Sequence, residues 1–237
     1  MKTISLSILS MSDVSLANFG ETVRNIEFLC KQVKQTVKSL GADINFSWHI
    51  DIMDGQYIPD TISICPQMLR QIAMTATMPV DLHFMTMSIR PYVKAIEAFD
   101  NSLSKINEIQ VHLLTDAIDE LLSNDLPALS KYTGAITFNP NEQLASALLD
   151  CTDSVLLMSV VPGKGGQSYI PVDGKIKDVK QYDAGIRIAV DGGVNADTVE
   201  NCKDADTIII GSAAMKAYDN GNFKDFMLDI ARKFLDV

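Results

Sequence analysis

The chain has few of the features that mark several common protein classes. Its four cysteines, Cys30, Cys65, Cys151 and Cys202, lie far apart and form no Cys-x-x-Cys pair, which argues against a zinc knuckle and a disulfide framework. No apolar run is long enough to span a membrane, and the run at 4–9 is too short and too serine-rich for a signal peptide. We therefore expect a cytoplasmic protein with reduced thiols.

Basic residues are also scarce relative to acidic ones. Lys and Arg number 20 against 30 Asp and Glu, so the formal net charge is -10. This balance argues against binding to nucleic acid or to an anionic membrane through the overall field. If the substrate is an anion, it must be bound locally, through backbone amides or a metal ion.

What the chain does have is apolar material for a large core. It contains 237 residues, of which 47% are hydrophobic, so disorder is not expected. The length allows one or two domains, and single α/β barrels run to roughly 250 residues. Because no linker rich in Pro, Gly or Ser divides the chain, we predict one continuous domain over residues 1–237.

Short β-branched runs alternate with amphipathic stretches along the whole chain. The predicted strands are 4–9, 45–52, 79–84, 108–113, 133–138, 154–159, 186–190 and 206–210. The predicted helices lie near 19–40, 64–75, 89–99, 115–123, 142–149, 172–182, 195–202 and 222–235. Eight strand–helix repeats predict an α/β fold of the (β/α)8 TIM-barrel class, and an open doubly wound sheet is the alternative.

Polar residues collect where the predicted strands end, which is where barrels carry their catalytic groups. His49 and Asp51 are two positions apart on one strand, and Asp81 and His83 repeat this spacing on the next, so each pair projects to one face. An inward imidazole and carboxylate are costly to bury unless something compensates them. Together with Asp191 after strand seven, they suggest a site for zinc or another first-row divalent ion formed by His49, Asp51, His83 and Asp191.

Glycine-rich loops follow strands six, seven and eight. In barrels these loops commonly hold phosphate on backbone amides and a helix N-terminus, although one glycine pair alone is ordinary turn chemistry. The candidate phosphate-binding residues are Gly163, Lys164, Gly165, Gly166, Gly192, Gly193, Gly211 and Ser212. Lys164 either reaches a phosphate or only covers the mouth of the site with its stem.

Taken in order, these segments resemble the ribulose-phosphate 3-epimerase family, from one end of the chain to the other. The resemblance rests on Ser7-Ile8-Leu9-Ser10, His49-Ile50-Asp51-Ile52-Met53-Asp54-Gly55, Asp81-Leu82-His83-Phe84-Met85, Leu157-Met158-Ser159, Pro162-Gly163-Lys164-Gly165-Gly166-Gln167-Ser168 and Val190-Asp191-Gly192-Gly193-Val194. It implies a (β/α)8 barrel, often a homo-oligomer, that acts on a small phosphorylated sugar.

The resemblance also implies roles for individual residues. The four metal-site residues would hold one divalent ion, Zn or else Fe(II), Co or Mn, while Asp51 and Asp191 exchange protons with opposite faces of the substrate. This chemistry would invert C3 through an enediolate and convert ribulose 5-phosphate to xylulose 5-phosphate. Ser7 and His83 match substrate contacts, the glycine loops match the phosphate site, and Met53, Met85 and Met158 would wall the enediolate or simply pack.

The sequence departs from the family pattern at several positions near the predicted site. Leu6 stands in place of a proline, Val161 in place of a polar residue, Lys164 in place of an apolar one and Cys65 in place of a glycine. The acidic residue expected two places after His112 is also absent, so we interpret His112 as structural. Asp81 is either an acceptor for a metal-bound imidazole or a solvated carboxylate at a strand end.

Three alternative functions can be compared with this one. The substrate could be a related hexulose 6-phosphate, since the departures lie where the sugar or phosphate would bind. A silent barrel that only binds phosphorylated metabolites is compatible with the same departures, but the intact metal and base positions argue against it. A decarboxylase of related barrel type is disfavoured, because such sites have an Asp-x-Lys pair, whereas Asp51 is followed by Ile52 and Met53.

Overall fold

A computed structural model describes residues 1–11, 16–61, 63–102, 105–113, 115–122, 129, 132–163 and 167–237. Its central feature is a closed barrel of parallel strands in which each strand pairs with the next and β8 pairs with β1. The strands are β1 (Thr3–Ser7), β2 (Asn45–Met53), β3 (Val80–Met85), β4 (Ile106–His112), β5 (Thr133–Phe138), β6 (Ser154–Met158), β7 (Arg187–Asp191) and β8 (Thr207–Ile210). The predicted TIM barrel is confirmed, and the open sheet is excluded.

Helices alternate with the strands and cover the barrel. They are α1 (Leu16–Ser39), α2 (Pro66–Thr75), α3 (Val93–Ile96), α4 (Asp116–Leu122), α5 (Ser146–Leu149), α6 (Asp173–Tyr182), α7 (Ser212–Asp219) and α8 (Phe223–Leu235). Short 3-10 turns occupy Ile8–Met11, Arg90–Tyr92, Glu97–Asn101 and Val199–Cys202. No helix within the described ranges is long and apolar enough to cross a bilayer.

The longest helix shows how the pattern of apolar residues sets the packing. Val23, Ile26, Val33 and Val37 recur on one face of α1 and are fully buried against the barrel. The helix ends where Gly41 adopts a φ of 85°, a left-handed conformation that glycine tolerates best. The first and last helices, α1 and α8, pack side by side and cover the seam at which the barrel closes.

A buried carboxylate ties α1 to the strands that carry the predicted site. Glu27 accepts hydrogen bonds from the Trp48 indole at 2.9 Å and from the backbone amides of Thr77 and Met78 at 2.7 and 3.0 Å. Because Trp48 lies on β2 and Met78 leads into β3, this carboxylate fixes the relative position of the two strands.

Several connecting segments differ from the sequence prediction. Strand β1 ends at Ser7 rather than at residue 9, the helix expected near 142–149 is one turn, and that near 195–202 is a 3-10 turn. Helix α7 was not predicted at all. It is short and buries only Ala214, Met215 and Ala217, so its apolar periodicity is weak.

Candidate active site

Four polar side chains from three strands converge inside the carboxyl end of the barrel. They are His49 and Asp51 of β2, His83 of β3 and Asp191 of β7, and one ligand atom from each lies within 4.8 Å of all the others. Asp51 and His83 are direct neighbours in the β2–β3 register, which explains their contact. The structure therefore brings together the four residues that the sequence singled out.

The distances among these four atoms suit one small cation. Asp51 Oδ1 lies 3.1 Å from His49 Nε2 and 3.0 Å from His83 Nδ1, and the two nitrogens are 3.3 Å apart. Asp191 Oδ2 lies 3.6 and 3.9 Å from the same nitrogens. A tetrahedral ion with bonds of about 2.1 Å spaces its ligands about 3.4 Å apart, so two imidazoles and two carboxylates fit zinc or a similar ion.

Burial and mutual charge shift the proton affinities of these groups. Burial lowers the pKa of His49, but the charges of Asp51 and Asp191 outweigh it and raise the pKa to about 9. Burial opposes ionisation of Asp51 as well, yet His49 and His83 hold the pKa of that carboxyl well below its usual range. For Asp191, burial and the neighbouring Asp51 charge prevail and raise the pKa. The two carboxyls thus differ strongly in their tendency to carry a proton.

Serine hydroxyls hold both aspartates in place. Ser7 Oγ donates a hydrogen bond to Asp51 Oδ2 at 2.8 Å. This contact is compatible with the prediction that Ser7 belongs to the site. Ser63 Oγ donates to the Asp51 carbonyl at 2.6 Å, and Ser159 Oγ donates to the Asp191 carbonyl at 2.9 Å. The role of Ser63 has no signal in the sequence, because it lies alone in a loop ten or more residues from its partner.

A cavity of about 200 Å³ opens over the two aspartates of this cluster, whereas His49 and His83 are fully buried and do not line it. Ser7, Asp51, Asp191, Met85 and Met158 line it, so both aspartates and two of the three predicted methionines face the same space. Its lining also includes Gly163, Gly192, Gly193, Gly211 and Ser212. Met53 is buried and is not among the described residues that line the cavity.

Backbone geometry requires glycine at the mouth of the cavity. Gly192 has a φ of 110°, and a Cβ there would lie 2.4 Å from Val160 Cγ2. Gly193 has a φ of 63°, and a Cβ there would meet the Tyr169 backbone at 3.1 Å. The chain therefore runs closer at this point than any other residue would allow. Lys164, Gly165 and Gly166 lie outside the described residues.

Asp81 plays neither of the two parts expected from the sequence. It is buried, and its Oδ2 accepts from Ser5 at 3.0 Å and from Ser47 at 2.8 Å, while Oδ1 accepts from Asn107 at 2.7 Å. Its hydrogen bonds come from neutral side chains in the lower part of the barrel, so it is neither solvated nor paired with an imidazole.

His112 is closer to the site than its sequence interpretation suggested. It is buried at the end of β4, and its Nε2 lies 2.9 Å from the Nε2 of His83. The Tyr57 ring packs on its other side with a centroid distance of 4.8 Å.

The departures from the family pattern fall in different places. Leu6 is buried in the outer core between strands and helices and does not face the cavity. Cys65 precedes the first turn of α2, where Pro66 begins the helix. Val161 is 56% exposed. Of these three, Val161 is the most exposed, Cys65 is partly buried and Leu6 is buried.

Comparisons with known proteins agree with this geometry. The family described as "Ribulose-phosphate 3 epimerase family" matches residues 22–215. The ribulose-phosphate 3-epimerase of Helicobacter pylori strain J99 is 28% identical over 225 residues, covering 90% of each chain. That of Escherichia coli K12 is 30% identical over 203 residues, covering 81% of this chain and 84% of the other.

Solved structures with little sequence similarity share the fold. Mycobacterium tuberculosis tryptophan synthase has a TM-score of 0.61 at 13% identity, covering 98% of this chain and 92% of that chain. Phosphoribosyl anthranilate isomerase from Thermus thermophilus has a TM-score of 0.57 at 12% identity, covering 100% and 99%. The barrel, the four converging side chains and the sequence similarity together establish that this chain is an isomerase belonging to the ribulose-phosphate 3-epimerase family.

Proposed function

We propose that residues 1–237 form a single metal-dependent epimerase domain that inverts C3 of a ketose phosphate, with ribulose 5-phosphate and xylulose 5-phosphate as the interconverted pair. One observation carries the proposal. Asp51 and Asp191 come from β2 and β7, on different sides of the barrel, yet both line one cavity and both lie beside the buried imidazoles of His49 and His83. The names of the relatives support the choice of substrate.

Inversion requires two proton-transfer groups, and the aspartates provide them. One carboxylate removes the C3 proton to give an enediolate, and the other carboxyl then returns a proton to the opposite face. Each transfer by a positioned side chain contributes about 10²–10⁴-fold to the rate. Since the two aspartates lie close to the same imidazoles, their protonation states belong to the pair rather than to either residue.

Holding the charged intermediate requires a local positive charge. A divalent ion held by His49, Asp51, His83 and Asp191, with Zn favoured and Fe(II), Co or Mn as alternatives, would stabilise the negative charge that develops on the substrate oxygens. Ser7 orients the Asp51 carboxylate through its hydrogen bond to Oδ2. Met85 and Met158 exclude water from the apolar side of the cavity.

We assign the phosphate to the glycine loops. The backbone amides around Gly192, Gly193 and Gly211, together with Ser212 at the start of α7, offer donors without requiring a positive overall field. This fits a chain with a net charge of -10, in which long-range attraction of an anion is not available. Gly163 lies on the neighbouring loop, and we include Lys164, Gly165 and Gly166 with it as sequence-based expectations.

The test is solvent exchange at C3. The purified protein is incubated in deuterium oxide with ribulose 5-phosphate or a hexulose 6-phosphate, in separate samples containing zinc, iron(II), cobalt or manganese. We expect NMR to show xylulose 5-phosphate carrying deuterium at C3. Exchange with the hexulose 6-phosphate alone would transfer the proposal to that substrate, and no exchange with either would leave a barrel that only binds phosphorylated metabolites.

A further inference from the structure

The three histidines of the chain form a row across the interior of the barrel. His49 Nε2 lies 3.3 Å from His83 Nδ1, and His83 Nε2 lies 2.9 Å from His112 Nε2. The ring centroids of His83 and His112 are 5.0 Å apart, and the ring planes are inclined by 29°. His112 therefore contacts the one nitrogen of His83 that faces away from the two aspartates.

A contact of 2.9 Å between two ring nitrogens assigns opposite roles to them. A neutral imidazole has one N–H donor and one acceptor nitrogen, so one ring must donate and the other must accept. To offer a lone pair to a cation beside Asp51, Nδ1 of His83 must be unprotonated, so the ring carries its proton on Nε2. The Nε2–H then requires an acceptor, and His112 Nε2 is the atom within reach.

Two buried acids near His83 accept hydrogen bonds from other side chains. Imidazoles that bind metal ions commonly donate their second nitrogen to a carboxylate, a carbonyl or a water molecule. The buried acid on the same strand, Asp81, accepts from Ser5, Ser47 and Asn107, and the acid opposite it on β4, Glu108, accepts from Gln110 and Arg187. No hydrogen bond among the described residues joins either acid to His83.

We propose that His112 is a positioning residue whose Nε2 accepts the Nε2–H of His83 and so fixes the tautomer and ring orientation that direct His83 Nδ1 toward the divalent ion. The Tyr57 ring, packed on His112 at 4.8 Å, keeps the acceptor ring in place. The inference rests on the proposed function, because it presumes the metal centre.

The experiment measures cobalt(II) binding rather than turnover. Affinity is obtained by competition with a chelator, and the visible absorption of the bound ion reports its coordination. His112→Phe keeps an aromatic ring but removes the acceptor, and His112→Leu is a second acceptor-free variant should the first not fold. His112→Gln restores an acceptor oxygen close to the position of Nε2. Thermal unfolding of the metal-free proteins identifies the variants that fold.

Thr137→Val is the matched control. Thr137 is paired with His112 across β4 and β5, is fully buried, and its hydroxyl has no hydrogen-bond partner in the described part of the chain. We expect His112→Phe to weaken cobalt binding by about 10- to 100-fold and to change the absorption spectrum. His112→Gln and Thr137→Val should stay close to the parent in both measurements.

His83→Ala separates the two ways in which the inference can fail. If His83→Ala weakens cobalt binding but His112→Phe does not, the metal centre stands and the role of His112 is wrong. The role is also wrong if His112→Gln binds as poorly as His112→Phe, since packing would then explain the effect. If His83→Ala binds cobalt as tightly as the parent, the metal centre of the proposed function is wrong, and this inference is wrong with it.

Discussion

Two pairs of acids inside the barrel differ in what surrounds them. In the lower part, Asp81 accepts from two serines and an asparagine, and Glu108 accepts from Gln110 at 2.9 Å and from Arg187 at 3.1 Å. In the upper part, Asp51 and Asp191 face imidazoles and an open cavity. The lower acids are thus held by protein donors away from the cavity, whereas the upper acids line it, and the proposed function assigns the proton transfers to the upper pair.

The largest effect should come from replacing an upper acid. Asn at position 191 keeps the shape of the side chain but can neither take nor return a proton, so we expect Asp191→Asn to lower kcat by about 10²–10⁴-fold. Steady-state kinetics measure the change, and the melting temperature checks folding. Asp178→Asn, on the exposed face of α6, is the control and should leave kcat unchanged. Parent-like turnover by Asp191→Asn would end its assignment as a proton-transfer group.

Removing the metal ion should distinguish the two pairs by stability. A ligand that binds only the folded state at 100 times its dissociation constant stabilises that state by about 2.7 kcal/mol. We expect zinc to give such an increment in urea unfolding of the parent, and a chelator to abolish it. Asp81→Asn should keep the increment, because its carboxylate lies outside the cluster, whereas His83→Ala should lose it. An equal increment in both variants would contradict the comparison.

Replacing the lower acid should cost stability rather than activity. In Asp81→Asn an amide group faces hydroxyl and amide donors, so a hydrogen bond to a charged acceptor is lost, at a cost of about 1.5–3 kcal/mol. Urea unfolding measures the loss against Asp178→Asn. We expect kcat/KM of the folded fraction to stay near the parent value, and a large drop with unchanged stability would place Asp81 in the reactive group.

The smallest effect should come from crowding the apolar side of the cavity mouth. Gly192→Ala forces a φ of 110° on a residue with a side chain and a clash with Val160, at a cost of about 1–3 kcal/mol. We expect KM to rise, and the double variant with Val160→Ala to recover part of the loss. The control is Gly174→Ala, where a Cβ meets open space on α6. An unchanged KM in Gly192→Ala would argue against phosphate binding at this loop.

The sequence predicts the barrel and the cluster for related physical reasons. Strands buried on both faces appear as apolar runs, so their positions are recovered to within about two residues. Residues two apart on such a strand share a face, and this places His49 and Asp51 inside the barrel beside His83. The cluster is predictable because the two-residue period of side chains along a strand and the order of the strands determine which residues meet.

Contacts that depend on register between strands cannot be read in this way. Pairing between β3 and β4 shifts after Val80, and that irregularity decides which side chains of β4 lie next to Asp81 and His83. Without it, neither the hydrogen bond from Asn107 to Asp81 nor the contact of His112 with His83 follows from the sequence. Helix α7 was missed for another reason, since small residues give it little apolar contrast.

Closure of the barrel through β1 and β8 has a consequence for synthesis. Thr3–Leu6 pair with Thr207–Ile210, so the first strand finds its second neighbour only when most of the chain exists. His49, Asp51 and His83 leave the ribosome long before Asp191, the fourth member of the cluster. A growing chain therefore carries three of the four cluster residues before the barrel can close, and it completes the cluster only when most of the chain has been made.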